Sequence, residues 1–246
     1  MNNYGLIGKS LSHSFSKSYF EKRFKEKHLE EHYYHNFDIE SLEDFKHIIQ
    51  STPNLKGLNV TMPYKESILP FLDQLSPEAE EIKAVNCIKI LNSKLIGFNT
   101  DVYGFAQSIK PFLDVNHQRA LVLGTGGASK AVAYTLKKIG VEVYYITSSG
   151  KKNDNSFFYH EINDRVMEAF KLIVNTTPLG MHPEENTCPN LPYDLFTEQH
   201  LAYDLIYNPS ETLFLQKAKQ KNAMVVNGLS MLQLQAEKSW EIWNEK

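Results

Sequence analysis

Short apolar runs alternate along this chain with longer stretches of helical period. Residues 4–8, 32–39 and 55–60 are too short for helices and read as strands. After the first of them, Tyr19, Phe20, Phe24 and Leu29 recur at helical spacing with Lys and Glu residues on the opposite face. After the second, Leu42, Phe45, Ile48 and Ile49 repeat the pattern behind Ser41, a capping residue type, with Asp44 near the helix start. Ser76-Pro77-Glu78 reads as another helix start, because proline suits the first helical position. Residues 85–90 and 94–98 then read as two strands turned at Asn92-Ser93, a hairpin that adds antiparallel pairing to an otherwise parallel sheet.

The second half of the chain repeats the alternation more regularly. Residues 102–113 read as a helix and 114–118 as a polar connector. Residues 120–139, ALVLGTGGASKAVAYTLKKI, run from a buried strand through a glycine turn into a helix. Further strands are expected at 142–147, 172–175, 201–205 and 224–227, with helices over 212–221 and 230–243. Strands alternating with helices predict an α/β protein with helices covering parallel sheets, and a domain boundary falls between about residues 100 and 118. No internal repeat or low-complexity tract is present.

Composition narrows the function classes. With 42% hydrophobic and 22% charged residues, the 246-residue chain has the make-up of a soluble globular enzyme. A formal net charge of −3 and the absence of any Lys/Arg run give no surface for nucleic acid. Cys87 and Cys188 are far apart, with no metal or disulfide spacing, and suit a reducing compartment. No apolar stretch approaches the roughly 18 residues of a membrane span, and MNNYGLIGKS is too polar for a signal peptide. The expected location is the cytoplasm.

The glycine turn carries the first candidate chemistry. Gly124, Gly126 and Gly127 between strand and helix let the backbone approach a pyrophosphate at a helix N-terminus, although the third glycine of G-x-G-x-x-G falls on Ser129. An isolated glycine turn is also consistent with a turn and nothing more. About 20 residues further on, an NAD site carries an acid for the ribose 2′-hydroxyl. Here the strand tip reads Thr147-Ser148-Ser149-Gly150-Lys151-Lys152, with no acid, which favours a 2′-phosphate and hence NADP; a solvated basic turn is the alternative.

The third strand runs straight into Asn59-Val60-Thr61-Met62-Pro63-Tyr64-Lys65, at the carboxyl edge where open α/β sheets bind ligands. A lysine there can act as acid or base when burial or nearby cations weaken its hold on the proton. It can also stay charged and donate to a developing alkoxide, or be a solvated surface charge. Asp101 is its candidate partner and equally a helix N-cap for the segment beginning at Val102. Ser14 and Ser16 can bind a small polyhydroxylated or carboxylated ligand, or cap the helix at Lys17, a role that falls first to Ser16. His13 has no acid nearby in sequence and reads as an orienting or structural histidine. No histidine spacing indicates a metal site.

Taken together the separated motifs resemble the shikimate dehydrogenase family, from Tyr4 nearly to the C-terminus. The resemblance rests on Tyr4-Gly5-Leu6-Ile7-Gly8 with His13-Ser14-Phe15-Ser16, and on Gly57-Leu58-Asn59-Val60-Thr61-Met62-Pro63-Tyr64-Lys65. It continues through Ala84-Val85-Asn86-Cys87 and Gly97-Phe98-Asn99-Thr100-Asp101-Val102-Tyr103-Gly104-Phe105. Asn175-Thr176-Thr177-Pro178-Leu179-Gly180-Met181, Asp204-Leu205-Ile206-Tyr207-Asn208-Pro209 and Gly228-Leu229-Ser230-Met231-Leu232 with Gln235 follow in order.

The resemblance implies an N-terminal substrate domain with a mostly parallel mixed sheet and a Rossmann-like dinucleotide-binding domain, with an active-site cleft between them. Residues 1–101 and 229–246 would form the first and residues 102–228 the second. It further implies reversible NADPH-dependent reduction of 3-dehydroshikimate to shikimate, in the shikimate pathway leading to chorismate and the aromatic amino acids. Lys65 and Asp101 would be the catalytic pair, and Ser14, Ser16, Asn59, Thr61, Asn86, Tyr207 and Gln235 would hold the substrate. NADP would lie against Gly124, Thr125, Gly126, Gly127, Ala128, Thr147, Ser148, Lys151, Thr176 and Gly228, with no metal required.

This sequence departs from the family pattern at three places. The strand tip lacks the usual Asn-Arg-Thr, so the NADP preference rests on Lys151, Lys152 and the missing acid; Cys87 replaces a usual threonine; and residues 153–164 are short and polar for the helix expected there. The alternatives are an NAD-preferring quinate/shikimate dehydrogenase and a catalytically silent cofactor-binding regulator. The partner expected is a small molecule, with the chain a monomer or homodimer.

Overall fold

The computed structural model describes residues 1–12, 14–148 and 154–245. The chain divides into two compact units, Met1–Thr100 with Ala236–Lys246, and Asp101–Gln235. Each unit holds one six-stranded sheet.

In the first unit the elements are β1 (Asn2–Gly8), α1 (Phe15–Glu26), β2 (His32–Asp38), α2 (Phe45–Ser51), β3 (Leu55–Val60), β4 (Gln74–Leu75), α3 (Pro77–Ile82), β5 (Cys87–Leu91) and β6 (Lys94–Phe98). The sheet order is β2-β1-β3-β5-β6-β4. β1 is parallel to β2 and β3, whereas β5 is antiparallel to both β3 and β6. Residues of β1 beyond Asn2 are buried on both faces, as a central parallel strand requires. The hairpin forms as expected: Asn92 and Ser93 sit at φ 51° and 63°, the left-handed pair that a tight two-residue turn demands.

Three local expectations shift. His28 at φ 54° ends α1 early, so Leu29 packs on the core from the turn that follows the helix. Ser41 accepts a hydrogen bond from Glu43 N but caps a short 3₁₀ turn, Leu42–Asp44, and α2 starts only after it. The two-residue edge strand β4 carries too few residues to leave a periodic signal.

The second unit contains α4 (Asp101–Ile109), β7 (Arg119–Leu123), α5 (Gly127–Lys138), β8 (Glu142–Thr147), β9 (Ser156–Phe158), α6 (Asp164–Ala169), β10 (Leu172–Asn175), β11 (Leu201–Asp204), α7 (Leu213–Lys219), β12 (Met224–Val226) and α8 (Leu229–Asn244). From Ala236 onward α8 belongs to the first unit. The sheet order is β12-β11-β10-β7-β8-β9, with every neighbouring pair parallel. Successive residues of β7 serve opposite faces: Ala120 and Val122 join one core with Val132, Leu136 and Tyr203, while Leu121 and Leu123 join another with Ile146 and Phe214. Apolar cores on both faces explain why this strand is a continuous apolar run. Where residues 153–164 looked too polar for a helix, the chain forms β9 and a 3₁₀ turn at Tyr159–Glu161. Asn163 then caps the six-residue α6 by accepting from Val166 N.

Candidate active site

Topology places the predicted residues of the first unit at one sheet edge. β1 and β3 run parallel, so the loop after Gly8 and the turn after Val60 leave from the same side. β5 runs oppositely, so the residue before it, Asn86, lies at that same edge. The hydroxyl loop is held by Asp38 at the end of β2, whose carboxylate accepts from the backbone N–H groups of Ser10 (2.8 Å) and Leu11 (2.9 Å). Asn36 adds a bond to the Leu11 carbonyl, 3.1 Å. Ser14, rather than Ser16, is the N-cap of α1, its hydroxyl accepting from Ser16 N at 3.3 Å. Ser16 lies inside the first turn of α1, close to the buried phenol of Tyr34.

Thr61 N donates to the Ile7 carbonyl at 2.9 Å, extending the β1–β3 pairing by one bond into the turn. Lys65 is half-buried in that turn, its carbonyl accepting from Val85 N at 2.8 Å. Its neighbour Tyr64 is buried and donates to the Ile39 carbonyl at 2.7 Å, fixing the backbone that presents the lysine. Asn86 is buried, donating through Nδ2 to Thr100 Oγ1 (3.0 Å) and accepting from Thr100 N through Oδ1 (2.6 Å).

Asn59 stands apart from the other predicted substrate ligands. Its Oδ1 accepts from Tyr34 at 2.8 Å, and its Nδ2 donates to the Asn86 carbonyl at 3.2 Å and to Ser239 Oγ at 2.9 Å. Both amide hydrogens are therefore spent inside the unit. Tyr34, Asp38, Thr100 and Ser239 were not singled out by sequence reasoning. Asp38 closes a strand at the ligand edge and could have been found from that placement. Ser239, a serine in the middle of a helix and 180 residues from Asn59, left no signal.

In the second unit Asp101 is buried and is itself the first residue of α4, so it does not precede the helix as the expected N-cap. As the first-turn acid it complements the positive end of the helix dipole. Gln235 is buried on α8, with Nε2 donating to the Leu232 carbonyl at 3.0 Å. The parallel sheet sends Gly124–Ala128, Thr147, Ser148, Thr176, Tyr207 and Gly228 to one carboxyl edge. β7 and β10 are adjacent there, and the chain order reverses between them, the switch point at which dinucleotides bind. Thr176 seals that point by donating through N (3.1 Å) and Oγ1 (2.5 Å) to the Leu123 carbonyl.

The residues present fit a dinucleotide pyrophosphate. Gly124 sits at φ +105°, a conformation that turns the chain out of β7. Gly126 is the N-cap of α5 and makes no side-chain cap bond; a Cβ built on it meets nothing within 4 Å. Nothing in the fold itself thus requires glycine at 126, and the open space lies over N–H groups of the first helical turn that suit an anion. Ser129, in place of the third glycine, is buried with its hydroxyl turned back to the Gly126 carbonyl at 2.7 Å. Gly228 has a packing reason as well: a Cβ there would lie 1.9 Å from the Leu205 carbonyl oxygen.

Thr147 ends β8 half-buried and Ser148 is exposed, while Lys151, with Ser149, Gly150, Lys152 and Asn153, lies outside the described residues, as does His13. The exits of β10 and β11 are tied by Asp204, which accepts from Asn175 Nδ2 (3.0 Å), Ile206 N (3.0 Å) and Thr212 Oγ1 (2.6 Å). Burial pushes its carboxyl up to about 6. Among the described residues no group of His, Cys, Asp or Glu could hold a metal ion.

An all-parallel sheet with a glycine turn at its switch point, in a chain whose other sheet gathers a lysine, hydroxyls and amides at one edge, defines a dinucleotide-dependent oxidoreductase. Comparison with known proteins is more specific. Residues 6–88 match the family model for the shikimate dehydrogenase substrate binding domain. The shikimate dehydrogenase (NADP(+)) of Methanococcus aeolicus is 38% identical over 253 residues, covering 97% of this chain and 90% of the relative. A crystal structure of shikimate 5-dehydrogenase from Thermus thermophilus in complex with NADP(H) and shikimate superposes with TM-score 0.85 at 32% identity, over 99% of this chain and 94% of the other. Quinate dehydrogenase from Corynebacterium glutamicum in complex with NAD is also similar, with TM-score 0.87 at 26% identity over 99% and 93% of the two chains. The chain belongs to the shikimate dehydrogenase family.

Proposed function

We propose that this chain catalyses the reversible NADPH-dependent reduction of 3-dehydroshikimate to shikimate. The observation that carries the reading is the common carboxyl edge of the first sheet, which presents Ser14, Thr61, Lys65 and Asn86 from separate elements in a chain of this family. The first unit is the substrate-binding part and the second the NADP-binding part. Gly124, Thr125, Gly126, Gly127 and Ala128 would hold the pyrophosphate, Thr147, Ser148 and Lys151 the adenosine end, and Thr176 and Gly228 the remainder. When held by these residues, NADPH would supply the hydride for the ring carbonyl carbon.

The chain's own residues do the rest. Lys65 delivers a proton to the carbonyl oxygen as charge develops there, and takes it back in the oxidative direction. Asp101 is its partner and accepts a hydrogen bond from a ring hydroxyl. Ser14, Ser16, Thr61, Asn86, Tyr207 and Gln235 hold the hydroxyls and carboxylate of the substrate. A site built from such hydrogen-bonding groups rejects analogues lacking one of them far more strongly than an apolar pocket rejects a missing methylene. The reading places the enzyme in the cytoplasm, as a monomer or homodimer; among the described residues no helix is long and apolar enough to cross a membrane.

The similarity to an NAD-bound quinate dehydrogenase supports one alternative, an NAD-preferring quinate/shikimate dehydrogenase. Initial rates with shikimate and with quinate, each paired with NADP⁺ and NAD⁺, decide between them by nicotinamide absorbance. The first reading expects the highest kcat/KM for shikimate with NADP⁺. Highest kcat/KM for quinate with NAD⁺ would overturn it, and tight cofactor binding without any turnover would favour a silent regulator. Lys65→Ala should lower kcat by about 10²–10⁴, the range for a general acid–base group, with a modest change in shikimate binding; near wild-type turnover would remove Lys65 from the mechanism.

A further inference from the structure

The first unit contains a buried polar relay that leads to Asn86 through residues the proposed chemistry does not use. Tyr34 on β2 is 2% exposed and lies stacked on Phe20 of α1, ring centroids 4.6 Å apart at 12°. Phe20 follows Ser16 by one helical turn, which places Ser16 beside that phenol. The phenol donates to Asn59 Oδ1 at 2.8 Å, and Asn59 donates to the Asn86 carbonyl at 3.2 Å and to Ser239 Oγ at 2.9 Å. Ser239, fully buried on α8, is 3.1 Å from Thr100 Oγ1, and Thr100 N in turn donates to Asn86 Oδ1 at 2.6 Å.

Hydrogen-bond accounting decides what Asn59 does. A side-chain amide has two donors, and both are used on partners inside the unit, with the oxygen taken by Tyr34. No donor remains for a ligand. The amide instead ties three elements together: β2 through Tyr34, the start of β5 through Asn86, and α8 through Ser239. Its orientation is fixed because the phenol can give its hydrogen only to the amide oxygen. Removing the phenol oxygen would leave that amide oxygen without its donor in a buried setting, which removes the reason for its present orientation.

We propose that Asn59 is a positioning residue, and that Tyr34 through it, and Ser239 through it and by its own bond to Thr100, hold Asn86 and Thr100 in the geometry that receives the substrate. The inference rests on the shikimate reading above. It differs from a packing role, since the relay should set the affinity for one ligand of the enzyme and not the other.

The test uses full-length Tyr34→Phe, Ser239→Ala and the double variant, each of which removes only oxygen atoms. Calorimetric Kd and steady-state KM are measured for shikimate and for NADP⁺, alongside thermal midpoints. Each single variant should raise Kd and KM for shikimate by roughly tenfold, the scale of one lost buried hydrogen bond, with Kd and KM for NADP⁺ unchanged. Because both bond the same amide, their effects are coupled, and the double variant should fall well short of the product of the two singles. Lowered midpoints with wild-type shikimate affinity would reduce the relay to packing and overturn the proposal, as would multiplicative effects in the double variant. Should Ser239→Ala fail to fold, Tyr34→Phe alone still decides through the contrast between shikimate and NADP⁺. A wild-type enzyme that neither binds nor oxidises shikimate would overturn the functional reading and this inference with it, whereas wild-type turnover with unaltered variants overturns only the inference.

Discussion

Replacing Gly126 by alanine separates a glycine kept for the fold from one kept for a ligand. Its backbone, at φ −81° and ψ −175°, is one any residue adopts, and a Cβ meets nothing within 4 Å. Alanine at an N-cap is a poorer choice than glycine, while the loss of glycine's unfolded-state freedom offsets that, so apo stability should change by no more than about 1 kcal/mol. The pyrophosphate is different. A methyl over the first turn of α5 displaces it from hydrogen bonds of about 1.5–3 kcal/mol, or roughly ten- to hundredfold in affinity. At NADP⁺ a hundred times the wild-type Kd, binding stabilises the wild type by about 2.7 kcal/mol; a hundredfold weaker variant gains only about 0.4 kcal/mol. At roughly 2–4 °C per kcal/mol for a chain of this size, thermal midpoints should rise by about 5–11 °C for the wild type and about 1–2 °C for the variant. Gly228→Ala is the contrast, because its Cβ would lie 1.9 Å from the Leu205 carbonyl oxygen and must disturb the fold before any ligand is added. A Gly126→Ala enzyme with the full NADP⁺-induced shift, or one whose apo midpoint collapses, would refute the argument.

Two further outcomes follow from buried groups. Burial raises the Asp204 carboxyl from 3.8 to about 6, so the native chain holds that proton more tightly than the unfolded one. The associated stability is fully present below pH 3.8 and is lost, by about 3 kcal/mol at most, as pH rises through 6. Asp204→Asn should therefore gain on the wild type in urea midpoints between about pH 4 and about pH 7, and a pH-independent difference would refute the buried-carboxyl argument. Cys87 is fully buried with its thiol pushed up to about 12, whereas Cys188 is only half-buried, 3.4 Å from Lys217 Nζ. A native thiol titration near pH 8 should label Cys188 alone, with Cys87 reacting after denaturation; rapid labelling of both would show that the core around Ser239 and Trp243 opens.

Much of the fold was legible because its signals are local. The apolar run 120–123, buried on both faces, and the Asn92-Ser93 turn each carry their reason within a few residues. β4, with two residues, and β9, with three, pair at sheet edges without enough sequence to form a period. The end of α1 leaves no local signal, because Leu29 continues the helical spacing while the left-handed backbone at His28, a residue type that does not announce a stop, breaks the helix before it. The chemistry divides along the same line. Lys65 and the glycine turn follow strands directly, so sheet topology alone places them at an edge where ligands bind.

Asn59 shows where such reasoning ends. Its place in a strand running toward Lys65 made it look like a ligand, as Thr61 and Asn86 do. Whether a buried amide faces substrate or protein depends on which partners consume its donors, and here one of them, Ser239, arrives from the last helix of the chain, 180 residues away. No local pattern encodes that meeting. The same reasoning bears on Cys87, at a position where the family resemblance sets threonine, whose buried thiol lies beside Ser239. A buried thiol is a weaker hydrogen-bonding group than a hydroxyl, so at Ser239 this chain relies the more on Asn59 and Thr100. Removal of the Ser239 hydroxyl should accordingly cost more shikimate affinity here than in a Cys87→Thr background, which puts a hydroxyl on the residue paired with Asn59 across β3 and β5. Equal losses in the two backgrounds, read from shikimate Kd, would place Cys87 outside the relay.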